Sequence, residues 1–301
     1  MSDKREWTGS SPQVMQKLSS QGCTRFSIFK RYKVLGKIFL VIGIVLVCFC
    51  MIAPLYLLVK VSFSTPWEVN TAHPKLLLHQ PTLKHWKQVL PSGNLFGPFW
   101  KSLVVATCTM VLATVLVAPA SYVISRTSRK IRATYILVLF FTKMFPVVGI
   151  ALPISVVFLK WNLLDTNTGL VLAHLIGQVP FMAWILVSTF GSIPRDLEEA
   201  AFIDGCTKMM ALRKVVIPLA VQGIAVAGLY VWLNSWNEFT YALYLSLTTK
   251  TLPLEVYYYV QRGGTFQMAA YATILAIPVI IITFVMQKYL RSDYLSGAVK
   301  G

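Results

Sequence analysis

Six apolar runs, each long enough to cross a bilayer as a helix, leave this chain few ways to fold. A span through the hydrocarbon core needs roughly 20 consecutive apolar residues, and only a helix or a closed barrel satisfies its own backbone there. The runs are about Lys37–Val61, Phe99–Ile124, Ala133–Leu159, Leu170–Phe190, Leu219–Leu247 and Met268–Leu290. Of the 301 residues 56% are hydrophobic and only 13% charged, too apolar a balance for a soluble domain. The expected fold class is all-α, a polytopic membrane protein with six transmembrane helices. Residues 1–36 then form a basic cytoplasmic tail, 37–290 the transmembrane domain, and 291–301 a cytoplasmic C-terminal tail.

The net charge of +17 does not point to nucleic acid, because the cations sit between apolar runs rather than on a soluble basic face. Their distribution sets topology instead. Lys4, Arg5, Lys17, Arg25, Lys30, Arg31 and Lys33, then Arg126, Arg129, Lys130 and Arg132, then Arg195, Lys208, Arg213 and Lys214, then Lys288, Arg291 and Lys300 fall on one side. The opposite side is poorer in Lys and Arg, so both termini are expected in the cytoplasm. Trp100 and Trp161 stand at outer ends of spans, as interfacial anchors do. The first run follows the tail with no small-residue cleavage site close behind, which argues against a removable leader. Of the five cysteines, Cys23 and Cys206 fall in cytosolic segments and Cys48, Cys50 and Cys108 inside spans, so no disulfide is expected.

Between the fourth and fifth runs lies a short polar insert, Ile193–Pro218, on the cytosolic side. Pro194 suits a first helical turn, and Asp196, Glu198 and Glu199 place negative charge against the positive end of the helix dipole. Leu197, Ala200, Ala201 and Asp204 share one face, with small side chains at its middle. Gly205 can close the helix in the left-handed conformation, and Thr207–Val216 can begin another. The expected unit is helix, sharp turn, helix.

Glu199, Ala200, Ala201, Asp204 and Gly205, with Val215, Ile217 and Pro218, resemble the EAA loop of permeases from binding-protein-dependent ABC importers. The family's usual Ile-x-Leu-Pro ending stands here as Val215-Val216-Ile217-Pro218, aliphatic at both changed positions. Asn162–Thr166, Trp236-Asn237-Glu238-Phe239 and the Ser296–Gly301 ending further resemble the carbohydrate permeases of the maltose-importer, or MalG, type. The resemblance implies a permease subunit of an ATP-driven sugar or oligosaccharide importer in a bacterial cytoplasmic (inner) membrane. It implies as partners a second homologous permease, two ATPase subunits and an extracytoplasmic solute-binding protein. Glu198, Glu199, Ala200, Ala201, Asp204 and Gly205 would then form the coupling helix that docks on an ATPase. ATP and Mg would belong to those ATPase subunits, with no cofactor in this chain. The alternatives are a permease for a non-sugar solute, or an acidic, uronate-type oligosaccharide as the sugar.

The residues themselves show no enzyme signature: no G-x-x-x-x-G-K-[ST] phosphate loop, no H-E-x-x-H and no G-x-S-x-G. His73, His79, His85 and His174 lack metal-site spacing and read as solvated loop residues. Polar groups inside a bilayer are costly and invite a functional reading. Tyr230, Asn234, Asn237 and Tyr241 fall on one stripe of span five with Glu238 at its edge, either lining a sugar path or pairing between helices. Lys143, about ten residues into span three, must face a cavity, an anionic ligand or a carboxylate such as Glu238. Pro146, Pro153 and Pro180 interrupt spans three and four. Of the two long outer segments, Ser62–Pro98 and Thr248–Gln267, the second carries Tyr257, Tyr258, Tyr259, Gln261 and Arg262. By resemblance it is a loop that meets the binding protein; by composition it is equally an aromatic interfacial anchor.

Overall fold

The computed structural model of the chain describes the backbone of residues 12–90 and 95–290, with side chains for 36–90 and 95–287. The tail 291–301, including the Ser296–Gly301 ending, and residues 1–11 lie outside the described residues. Every described element is helical, in keeping with the all-α expectation. The chain divides into two units after Leu57. The first is dominated by α1 (Pro12–Phe63), which runs unbroken from the basic tail through the first apolar run, with Pro54 inside it.

The second unit holds the remaining helices. Two short ones, α2 (Pro66–Val69) and α3 (Lys84–Val89), precede α4 (Phe96–Ser125), α5 (Arg129–Phe141), α6 (Val147–Lys160) and α7 (Asn167–Gly191). After the polar insert, with α8 (Asp196–Ile203) and α9 (Lys208–Ala211), come α10 (Ile217–Trp236), α11 (Thr240–Leu245), α12 (Leu252–Gln261) and α13 (Thr265–Leu290). Among the described residues five helices are long and apolar enough to span a membrane, and α5 with α6 makes a sixth if that bent pair crosses as one span.

The centre of this unit is the trio α4, α7 and α10. Ala113 and Val117 from α4, Met182, Ala183 and Leu186 from α7, and Ala220, Ala227 and Val231 from α10 form one buried cluster. Four of these eight are Ala, in keeping with helices in lipid gaining from close backbone approach rather than from burying oil in oil. Gly223 is the tightest point, where an added Cβ would lie 2.2 Å from Thr189 Cγ2. A second cluster joins α6 and α11 to α4 and α7 through Phe158, Tyr241 and Leu245. A third seats α13 on α10 through Trp232, Trp236, Tyr271 and Ile274.

Two expected spans are broken. The third bends by 85° between α5 and α6. Phe145 is extended (φ −79°, ψ 132°) because it precedes Pro146, which disfavours the helical region for the residue before it and supplies no N–H. Pro153 and Pro180, by contrast, sit inside continuous helices. The fifth span stops at Trp236 and resumes at Thr240. There Glu238 caps the new helix, its carboxylate accepting from the N–H of Tyr241 (2.9 and 3.0 Å) and of Ala242 (3.3 Å). Hydropathy averaged over a span's length runs through both breaks, since long apolar stretches flank each of them. The outer segment expected as a loop contains helix α12, started by Pro253 in its first turn.

Candidate functional site

The polar insert between α7 and α10 folds as its punctuation requires. Three acids occupy the first turn of α8, and Gly205 (φ +80°) reverses the chain, with the N–H of Cys206 bonded to Ala201 O (2.9 Å). Thr207 caps α9, accepting from Met210 N (3.3 Å). A π-helical turn, Leu212–Val216, then joins α9 to α10, so the second arm is continuous with the fifth span. Glu199, Ala200, Asp204 and Gly205 are exposed, whereas Glu198 and Ala201 are buried. The exposed surface also carries large apolar side chains: Leu197, Phe202, Met209, Met210 and Ile203, the last 87% exposed.

Glu198 faces inward. It pairs with Arg126 just beyond α4 and accepts a hydrogen bond from Tyr122 Oη at 2.8 Å. Arg126 also donates to Ile193 O (3.2 Å), while Arg195 donates back to Arg126 O (2.8 Å). With Arg126 17% and Glu198 8% exposed, water competes less for this ion pair than for a surface one. The sequence held both residues, but their 72-residue separation hid the pairing.

In the membrane region the six polar candidates separate. Asn234 and Asn237 are exposed on α10, their side-chain amides donating to Tyr230 O and Leu233 O at 2.8 Å each. Tyr230 packs on Phe181 with ring centroids 4.2 Å apart. Lys143 is exposed at the α5–α6 break, in a 3-10 turn, Thr142–Met144. Tyr241 is only 3% exposed and belongs to the core. Glu238 does not face Lys143; besides capping α11, it lies 3.3 Å from His174 Nε2. His174 Nδ1 in turn shares a hydrogen bond with Ser235 Oγ at 2.6 Å. His174 is therefore no loop residue: it is 1% exposed within α7 and ties that helix to the break in the fifth span. His85 is also buried, bonded to Ser64 O at 3.2 Å. A histidine among apolar neighbours carries no periodic signal of its own, and only its placement inside an apolar run hinted at burial.

The Trp236-Asn237-Glu238-Phe239 motif thus builds the break. Trp236 is fully buried and donates to Leu275 O (3.1 Å), and Phe239 packs on Tyr257 with centroids 4.8 Å apart. The Asn162–Thr166 motif builds a second joint. Asn162 and Asp165 adopt left-handed conformations (φ 55° and 60°), which Asn and Asp tolerate better than most residues, and Thr166 caps α7. Asp165 then clamps the α11–α12 connection, accepting from Leu247 N (3.1 Å), Thr248 N (3.1 Å), Thr248 Oγ1 and Thr249 N (3.5 Å).

Partial burial would raise the Asp165 pKa, but bonds from Thr248 and Thr249 and the charge of Lys101 outweigh it and hold the carboxyl below its usual value. A depressed folded pKa means the clamp stabilises above the unfolded value, about 3.9, and that stability is lost as pH falls through the folded value. The melting-temperature gap between wild type and Asp165→Ala should hold from pH 7 to 5 and shrink below about pH 4. A gap independent of pH would contradict the charged clamp.

Helix α12 and the residue after it present Tyr257, Tyr258, Gln261 and Arg262 as exposed and Tyr259 as half-buried, stacked on Tyr271 at 5.0 Å. Tyr258 lies between two cations, with Lys250 Nζ 3.6 Å and Arg262 Cζ 4.9 Å from its ring centroid. Lys250, Tyr258, Tyr259 and Arg262, with Trp100, Lys101 and Glu255, line a cleft of about 530 Å³.

Residues 110–295 match the family described as binding-protein-dependent transport system inner membrane component. The chain is 32% identical over 245 residues to the sulfoquinovosyl glycerol transport system permease protein SmoH of Agrobacterium fabrum, covering 80% of this chain and 86% of that one. It is 27% identical over 278 residues to the trehalose/maltose transport system permease protein MalG of Thermococcus litoralis, covering 90% and 99%. Among solved structures, a chain of a bacterial ABC transporter involved in the import of the acidic polysaccharide alginate has the same fold. Its TM-score is 0.70 at 24% identity, over 84% of this chain and 96% of that one.

Proposed function

Because the chain belongs to the family of inner membrane components of binding-protein-dependent transport systems, we propose that it is one permease of a sugar importer whose energy enters through α8 and α9. The observation that carries this reading is the exposed apolar knob on the cytosolic insert, with Ile203 87% and Met209 57% exposed beside Glu199 and Asp204. Large apolar groups on an aqueous face mark a surface that a partner covers. An ATPase subunit is the partner the family context supplies, and ATP and Mg bind there rather than on this chain. Both termini lie in the cytoplasm in this reading, supported by the Lys and Arg asymmetry. Closure of two ATPases drives α8 and α9, and a cavity shared with a second permease alternates between inward and outward access.

Sugar as the substrate class is supported by the relatives, one named for sulfoquinovosyl glycerol and one for trehalose and maltose. Asn234, Asn237, Tyr230 and Lys143 are the path candidates that the fold leaves accessible, and the exposed face of α12 is the candidate contact for the solute-binding protein. The test is uptake into proteoliposomes holding the permease pair and its ATPases, with the cognate binding protein and trehalose, maltose or sulfoquinovosyl glycerol. ATP-dependent accumulation of one of these sugars is expected. Accumulation of an amino acid or phosphate instead, with every sugar inert, would overturn the substrate class.

A further inference from the structure

Helix α4 is pinned near both ends by side chains that reach elements distant in sequence. At its inner end Tyr122 and Arg126 hold Glu198 of α8, and Arg126 and Arg195 cross-link the two backbones. At its outer end Lys101 Nζ donates to Thr249 O (2.6 Å) and Thr249 Oγ1 (2.7 Å) and stands 3.9 Å from Asp165. The neighbouring Ser102 Oγ accepts from Leu252 N at 2.8 Å, at the first residue of α12. Lys101 is 7% and Ser102 4% exposed, so water competes less for these bonds than at an open surface.

One pin therefore grips the helix that carries the ATPase-facing knob, and the other grips the start of the helix that carries Tyr257 to Arg262. Lys101 and Arg126 are separated by about 37 Å at the α-helical rise. The intervening helix is packed along α7 and α10 through Val105, Ala106, Ala113 and Val117. Packed in this way α4 shifts with its neighbours, because well-filled interiors transmit displacement, and Pro119 removes one N–H from its ladder without ending the helix.

We propose that α4 is the connecting rod of this permease, joining the coupling helix inside to α12 outside, with Glu198, Tyr122, Arg126, Lys101 and Ser102 as positioning residues at its two ends. The proposal rests on the reading above, in which α8 meets an ATPase and α12 meets a binding protein. Glu198 acts through Arg126 and Tyr122, not through contact with the ATPase. Coupling of this kind is reciprocal: the binding protein raises ATP hydrolysis, and nucleotide changes affinity for the binding protein.

The experiment uses the full importer in nanodiscs, with the binding protein loaded with trehalose or, if trehalose fails in uptake, with whichever panel sugar succeeds. The readout is ATP hydrolysis with loaded binding protein divided by hydrolysis without it. Glu198→Arg should lower that ratio by about fivefold or more, within the usual range of coupling effects. The exchanged pair Arg126→Glu/Glu198→Arg should restore it to within about twofold, a rescue that a general loss of fold would not show. Lys101→Met, at the far end of the rod, should lower it comparably and abolish the shift in binding-protein affinity caused by ATP with vanadate. If Glu198→Arg fails to assemble, Tyr122→Phe, which removes a single hydrogen bond, and Lys101→Met decide the matter. A wild-type ratio in Lys101→Met, or an exchanged pair no better than Glu198→Arg alone, overturns the connecting rod. A wild-type complex that no loaded binding protein stimulates overturns the functional reading itself.

Discussion

Gly223→Val is expected to leave little folded permease. Even the first added carbon meets Thr189, whose Cγ2, Oγ1 and Cβ would lie 2.2, 2.3 and 2.8 Å away. Thr189 cannot swing aside freely, because its hydroxyl is bonded to Ile185 O at 2.9 Å. The contact lies in the α7–α10 seam, so relief requires moving whole helices. Overpacking of this kind costs about 1–3 kcal/mol for an added methyl and more for a branched side chain. At about 2–4 °C per kcal/mol for a chain of this size, Gly223→Ala should lower the melting temperature of the purified importer by about 5–10 °C. Gly223→Val should fail to assemble. The exchanged pair Thr189→Gly/Gly223→Ala should recover most of the loss; an equal deficit in that pair would mean the seam is not where the damage lies.

Gly205→Val is expected to give an assembled permease that transports at least tenfold less. Nothing lies within 4 Å of a Cβ built at this position, so the penalty is confined to the backbone. At φ +80° an ordinary residue costs roughly 1–2 kcal/mol, and a branched one more. An eight-residue helix such as α8 has few bonds with which to resist that cost, so the turn opens and α9 changes its angle to α8. The membrane trio, remote from the turn, keeps its melting temperature within a few degrees. Gly205→Asn, which tolerates the left-handed region, should retain most uptake. Equal uptake by the Val and Asn variants would remove the shape of this turn from the mechanism.

Much of the fold was legible because hydropathy and punctuation are local. The six apolar runs, Gly205 as the reversal and the acid-rich start of α8 each follow from residues adjacent in sequence. The two broken spans were not legible, because hydropathy measures composition and not backbone continuity. Pro146 marked one break, yet Pro153 and Pro180 carry the same mark and sit in unbroken helices. The second break is made by a capping carboxylate, Glu238, that reads in sequence as a polar group awaiting a ligand. The inward turn of Glu198 and the burial of His174 depended on partners 72 and 61 residues away. Helical periodicity could place each on a face but could not say what that face meets.

The sharp bend between α5 and α6 limits where this protein can exist. An 85° turn in mid-span interrupts the ladder that normally hides amide and carbonyl groups from lipid, and Lys143 emerges beside it. Acyl chains offer such groups nothing, so that flank must meet water or another polypeptide.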